Sequence, residues 1–192
     1  MNKKLLSFLA ICILSGAVLL GCRADAGEGE TAADPPAVDE VSRPTSARGE
    51  TPQALKDAMG YEGPWVFGLA NNIDLSEPLI ITGDVEKHSA GNWTGEYARK
   101  IGLYQNDSDR NLIGLFTLTA PRVEVNSPNM SFVGGDLDGE IAVVKADVYV
   151  NAPGFTLDDT KIEGDLIFSS QEYFDSANLE TGMVTGETRV ES

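Results

Sequence analysis

The chain has too few histidines and cysteines for most nucleophilic and zinc chemistry. It contains one histidine, His88, and two cysteines. A Ser-His-Asp or Cys-His arrangement would have to use His88, which lies in a polar stretch, and the chain has no G-x-S-x-G turn. A zinc site needs several histidine or cysteine ligands. We therefore expect no catalytic residue in this chain and place His88 in an exposed loop.

Long apolar runs are also missing. The longest extends from Leu5 to Leu20, about sixteen residues, whereas a membrane-spanning helix needs roughly 20. It follows the basic pair Lys3-Lys4 and ends in small residues, which is typical of an export signal. The sequence predicts a signal peptide over residues 1–21 and a translocated domain after it.

The end of this run, Leu19-Leu20-Gly21-Cys22, resembles the lipobox of bacterial lipoproteins. The resemblance implies a diacylglyceryl group on Cys22, cleavage after Gly21 and acylation of the new amino terminus. Leu20 departs from the family pattern, which more often has a small residue there. Each buried CH₂ adds about 0.8 kcal/mol and a single chain binds only marginally, so two or more chains make a stable anchor. An ordinary secretory signal with an incidental cysteine is the alternative.

Cleavage would change the composition of the chain. Cys12 would leave with the signal and Cys22 would be lipidated, so no intrachain disulfide is expected. Loss of Lys3 and Lys4 would take the net charge from −16 to −18, which disfavours nucleic acid and anionic headgroups as partners. Arg23 stands where an aspartate is associated with inner-membrane retention, which favours the outer membrane in a two-membrane envelope.

The next segments are a tether and a short helix. Residues 22–50 have hardly an apolar side chain and predict a disordered acidic tether spanning roughly 30 Å. Thr51 and Pro52 suit the start of a helix that continues from Ala54 to Met59. We therefore predict a capping helix and lead-in over residues 51–64.

Residues 65–192 show short apolar runs separated by Gly, Asn, Asp and Pro, typical of strands, without helical periodicity. Within them a unit repeats: Val123 lies over Val148 after a shift of 25, and Leu157 over Leu179 after a shift of 22. Each unit consists of an apolar residue, four further residues, a second apolar residue, one further residue, a glycine, and then an aspartate or a glutamate. A repeat of this length predicts an all-β fold, a short β-solenoid in which equivalent side chains stack about 4.8 Å apart.

The solenoid interpretation assigns residues to columns and corners. The two predicted inward columns are Phe132, Leu157 and Leu179, and Leu137, Ile162 and Val184. Gly139, Gly164 and Gly186 are predicted at one corner, with Glu140 and Ile141 lying over Asp165 and Leu166, and Pro128 and Pro153 at another. A weaker fourth copy is Ile81-Thr82-Gly83-Asp84-Val85.

The five-residue spacing in Phe155–Gly164 and Ala177–Thr181 resembles pentapeptide-repeat solenoids, and the Gly-Asp-apolar corners resemble bactofilin-type polymer-forming solenoids. These short motifs cover residues 123–190 and imply the same architecture. An antiparallel β-sandwich whose hairpins share turn residues is the alternative fold.

Some acidic residues are candidates for chemistry. Asp107 with Asp109, and Asp136 with Asp138, are the best local carboxylate pairs for glycosidase chemistry. Asp107, Asp109 and Asn111 also have the alternating oxygens that begin a calcium loop, without its flanking helices or its final glutamate. A hairpin turn explains this stretch better than calcium does.

Aromatic residues are few, and Trp65, Trp93 and Tyr97 are the candidates for ligand contact. Trp65 is also consistent with a cap packed on the first strands. Trp93 lies in a polar stretch, which we interpret as a loop, and has nothing obvious to pack against.

The sequence thus predicts an extracytoplasmic, lipid-anchored, non-enzymatic binding or scaffold module. We expect its partner to be a cell-wall polymer, a carbohydrate or another envelope protein, and expect no cofactor beyond the lipid. Two alternatives are a self-associating, polymer-forming surface protein and a glycoside hydrolase with a carboxylate pair.

Overall fold

The computed structural model describes residues 46–191, which form mainly β-strands. The predicted signal peptide, Cys22 and most of the tether lie outside these residues. The strands in chain order are β1 (Ser46–Gly49), β2 (Val66–Leu69), β3 (Ile73–Asp74), β4 (Leu79–Ile81), β5 (Glu86–Ser89), β6 (Asn92–Tyr97), β7 (Arg99–Gly102), β8 (Tyr104–Asn106), β9 (Leu112–Leu115), β10 (Thr117–Val125), β11 (Met130–Val133), β12 (Asp136–Leu137), β13 (Glu140–Val150), β14 (Thr156–Asp158), β15 (Thr160–Ile162), β16 (Leu166–Phe168), β17 (Met183–Val184) and β18 (Thr188–Val190).

Two helices interrupt the strands, α1 (Pro52–Ala58) and α2 (Gln171–Asp175). In residues 46–191 no helix has the length and apolar character needed to cross a membrane. The absence of helical periodicity in residues 65–192 missed α2, which begins because the Ser170 hydroxyl accepts a hydrogen bond from the backbone N–H of Tyr173.

Most of the strands form two parallel sheets. Sheet A has the order β1-β2-β7-β11-β14, and sheet B has the order β17-β15-β13-β10-β3, with β4 on β10 and with β16 between β13 and β18. Every pair within sheet A is parallel, and so are the pairs that join the long strands of sheet B to their neighbours, apart from the antiparallel pair of β12 with the start of β13. The antiparallel sandwich is therefore wrong, and the fold is all-β with parallel sheets.

The inner face of sheet A contains one continuous column of apolar side chains, because every second residue of its strands points inward. Phe132 pairs with Leu157, as predicted, and the bridge between Thr156 and Asn178 places Leu179 next. The column continues in the other direction through Ile101, Phe67 and Ala47.

The second predicted column is half correct. Ile162 pairs with Val184, but its other partner is Val144 and not Leu137. Leu137 lies in a hairpin whose turn residues, Asp138 and Gly139, have φ values of 57° and 86°. This hairpin reduces the offset between paired residues from 25 at Phe132/Leu157 to 18 at Val144/Ile162. The placements of Leu137, Gly139, Glu140 and Ile141 over the following repeat are therefore wrong.

The Gly-Asp corner is real in the last two repeats. Gly186 donates its N–H to the Gly164 carbonyl at 3.0 Å. A side chain at Gly164 would collide with the backbone carbonyl of Ala146, so this corner requires glycine. The carboxylate of Asp165 accepts the N–H of Glu187 at 2.9 Å, just as Asp147 accepts that of Asp165. The acidic residue therefore ties each corner to the next.

Pro128 and Pro153 do form an equivalent corner, where the N–H of Asn129 bonds the Pro153 carbonyl at 2.9 Å. The proposed fourth copy is wrong. Ile81 pairs with Val125, in the column that continues through Val150, Phe168 and Val190, and not in that of Ile162.

The N-terminal part of the fold is a helix beside a strand. Thr51 caps α1 as predicted, accepting the N–H of Ala54 at 3.2 Å, and Leu55 and Met59 are fully buried in the core. The tether prediction was too long. Residues Ser46–Gly49 form β1 because Ala47 packs on the core opposite Phe67.

Three antiparallel hairpins project from the parallel strands. They are β5–β6, β8–β9 and β12 with the start of β13. The apolar run from Leu112 to Leu118 is divided at Phe116 between the second hairpin and β10.

Candidate functional site

A groove of about 390 Å³ lies between the β5–β6 hairpin and the outer face of sheet A. The sheet forms its floor, from Trp65, which immediately precedes β2, to Thr156 on β14. The hairpin contributes Lys87 and Glu96 to its wall. The groove therefore crosses four successive strands.

The floor of the groove is a column of polar side chains. Lys100 pairs with Ser131 and Ser131 pairs with Thr156, so these side chains follow one another on the outward face. All three are half-buried. Within residues 46–191 the Lys100 ammonium forms no ion pair, and the hydroxyls of Ser131 and Thr156 form no hydrogen bond.

Polar contacts join the two strands of the hairpin and tie the hairpin to the sheet. Lys87 Nζ and Glu96 Oε2 are 2.7 Å apart and link β5 to β6 within the hairpin. The Asn129 amide, from the corner before β11, donates to the Tyr97 carbonyl at 2.8 Å. This last contact ties the end of the hairpin to the sheet that forms the floor.

Of the three predicted ligand-contact residues, only Trp65 lines this groove. Trp93 and Tyr97 lie on β6, on the face of the strand opposite to that of Glu96, because side chains alternate along a strand. Their ring centroids are 6.2 Å apart. They remain 52% and 42% exposed. The hairpin thus has a groove-facing polar side and an aromatic side facing away from it.

His88 and Trp93 occupy strands and not the loop that was predicted. They pair across the hairpin, whose turn is Ala90-Gly91 with φ values of 51° and 82°. His88 Nε2 lies 3.3 Å from the Glu86 carboxylate.

Asp107, Asp109 and Asn111 form the turn between β8 and β9, as the hairpin interpretation predicted. The Asp107 carboxylate accepts the backbone N–H groups of Asp109 and Asn111, both at 2.9 Å, and the Asn111 side-chain amide at 3.0 Å. The Asn111 amide and these N–H groups lower the pKa of Asp107 below its usual value. Its oxygens serve the turn, and calcium binding there stays a prediction.

Asp136 and Asp138 also serve a hairpin. Asp136 accepts the N–H of Gly139 at 2.9 Å, and Asp138 is the first turn residue. In the described part of the chain, no three His, Cys, Asp or Glu side chains are grouped so that they could hold a metal ion.

The outer face of sheet B is an ion-pair surface. Glu163 lies 2.7 Å from Lys161 and 3.6 Å from Lys145. Lys161 above all lowers the pKa of the Glu163 carboxyl. This face differs from the groove, because its lysines already have carboxylate partners.

The strands β17 and β18 are the last of their sheet among residues 46–191. Each pairs on one side only, with β15 and β16 respectively. These strands and their turns contain three carboxylates, those of Glu180, Glu187 and Glu191, and one basic side chain, that of Arg189. Two copies meeting at this edge would bring these carboxylates together.

Reasoning from sequence missed most of the groove. It singled out Trp65 but not Lys87, Glu96 or the floor column. The signal was present only in part: Ser131 and Thr156 occupy equivalent places in the 25-residue repeat, whereas Lys100 precedes it.

Comparison with known proteins adds no further assignment. Neither the family models, nor the curated proteins, nor the solved structures that were searched contain a match to this chain.

Proposed function

We propose that the chain is a lipid-anchored, extracytoplasmic β-solenoid that binds a ligand without catalysing a reaction on it. The observation that carries the binding role is the groove beside the β5–β6 hairpin, with half-buried polar groups that the described part of the chain leaves unpartnered. Binding sites of this kind are concave and place a few polar groups for specificity.

The solenoid assignment is supported by the parallel pairing. Along the chain, one strand of sheet A is followed by two short strands of sheet B. For example, β14 lies in sheet A, and the next strands, β15 and β16, both pair with the long strand β13 of sheet B. The next strands pair in the same order 22 residues later, Ile162 with Val184 and Leu166 with Thr188. Stacking of this kind buries one continuous core.

A non-enzymatic role is supported by what the acidic residues do. The pairs proposed for glycosidase chemistry belong to hairpins, where Asp107 and Asp136 accept backbone N–H groups of the turns. Self-association through β17 and β18 is the weaker proposal, because a strand added at this edge would meet the carboxylates of Glu187 and Glu191.

The anchor is tested by replacing the residue that would hold the lipid. Cys22→Ser should move the protein from the membrane fraction to the soluble fraction, because the acyl chains supply the membrane affinity. Cys12→Ser is the matched control and should leave it in the membrane. Equal membrane association of both variants would contradict the lipid anchor.

The binding role is tested by the fluorescence of the two tryptophans. Fragments from a muramidase digest of bacterial cell wall should change the emission of Trp65, which lines the groove, and leave that of Trp93, outside it, unchanged. We expect the change to persist in Trp93→Phe and to disappear in Trp65→Phe. A response that depends on Trp93 alone, or no response at all, would contradict binding in the groove.

A further inference from the structure

The floor of the groove has unused hydrogen-bonding capacity in a line. Lys100, Ser131 and Thr156 stand on three successive strands, about 4.8 Å apart. They are half-buried, and within residues 46–191 their side-chain polar groups have no protein partner. These side-chain atoms remain accessible to water, which a ligand with complementary groups can replace.

The charge at this place is unusual for the chain. The full sequence has a net charge of −16. Yet the only carboxylate among the groove-lining residues, Glu96, is paired with Lys87, which leaves the Lys100 ammonium unneutralised. The groove therefore offers a positive charge to an anionic group.

The shape of the groove excludes one way of binding a peptide. The strands β2, β7 and β11 each pair on both sides, so an extended peptide cannot add to them as a further strand. A ligand on this floor must be held through side chains. Hydroxyl groups, an ammonium and an indole suit the hydroxyls and ring faces of a sugar chain.

We propose that the groove binds a linear acidic glycan that runs across the strands of sheet A. In this arrangement Lys100 pairs with a carboxylate of the glycan, and Ser131 and Thr156 bond its hydroxyls. Four strands span roughly 15 Å at 4.8 Å per strand, enough for about three sugar units. This inference rests on the proposed binding function and specifies its ligand.

The test compares one sugar chain with and without its charge. Binding of trigalacturonic acid and of its methyl ester to the full-length protein in neutral detergent is measured by isothermal titration calorimetry. We expect the acid to bind at least about tenfold more tightly than the ester, because a charge-assisted hydrogen bond is stronger than a neutral one. Lys100→Gln should remove this preference, because the acid then loses its charged partner and binds about as weakly as the ester.

Lys145→Gln is the matched control, because it removes the same charge from β13, in sheet B, away from the groove. It should leave the preference for the acid intact. Equal affinities of the wild-type protein for acid and ester would overturn the acidic ligand while leaving glycan binding in place. Binding of neither probe would overturn both the acidic ligand and glycan binding in the groove, whereas a Trp65 response to other wall fragments would still support the broader function.

Discussion

Phe132→Ala should lower the free energy of unfolding by about 3–5 kcal/mol. The ring is fully buried and stands in the column between Ile101 and Leu157. It also meets the ring of Phe155 edge-on, with centroids 5.8 Å apart. Truncation removes these contacts and leaves a cavity that neighbouring strands, tied by backbone hydrogen bonds, cannot close. Urea denaturation followed by circular dichroism measures the loss.

Ile113→Ala is the control for this variant. Ile113 is apolar too, but it lies on the β8–β9 hairpin and is 51% exposed. Its truncation should change stability by about 0.5 kcal/mol or less. A similar small change for Phe132→Ala would show that the column does not carry the core.

Arg99→Met should lower the free energy of unfolding by about 2–4 kcal/mol. The Arg99 side chain is fully buried, and its guanidinium donates to the carbonyls of Ala58, at 2.6 Å, and of Gly60. These carbonyls end α1, so the arginine joins the helix to the third strand of sheet A. Methionine fills a similar volume and has no donor, which leaves the Ala58 oxygen buried and unsatisfied.

Amide hydrogen exchange separates this effect from a general loss of packing. Residues of α1 should lose protection first in Arg99→Met, because their C-terminal attachment is gone. The control Arg110→Met changes an exposed turn residue and should preserve protection throughout. Unchanged exchange of α1 in Arg99→Met would mean that the helix is held by Leu55 and Met59 alone.

Local signals in the sequence predicted the elements that depend on neighbouring residues. Thr51 and Pro52 specify the start of α1 through a side-chain cap and a fixed φ, and the structure confirms it. Phe132 and Leu157 could be paired because the segments Val123–Phe132 and Val148–Leu157 match without a gap. In both cases the information lies in a short continuous segment.

Predictions failed where hairpins change the length of the repeat. The pair Asp138-Gly139 favours a two-residue hairpin turn, a local signal that interrupts the repeat. The strand that contains Ala47 could not be predicted for a different reason. Ala47 is a single apolar residue in a segment whose composition is typical of disorder. Its strand forms only through pairing with β2, whose Phe67 is twenty residues away.

The floor of the groove was hidden for the same reason. Lys100 is 34 residues from its partner Val66 and 31 from Ser131, whereas Ser131 is 25 from Thr156. These unequal intervals arise because whole hairpins lie between strands that are adjacent in space. No fixed shift of the sequence aligns them, so the side chains that share the floor could not be recognised together.

The three hairpins leave the parallel strands at their corners and return without disturbing the pairing that follows. The entropic cost of closing a loop grows only slowly with its length. Extra residues at a hairpin tip such as Ala90-Gly91 would therefore lengthen a surface projection and leave Ile101 opposite Phe132. The strand pairing of the interior does not depend on the length of the hairpin tips. We therefore expect that foreign peptides can be inserted at these tips without redesign of the interior.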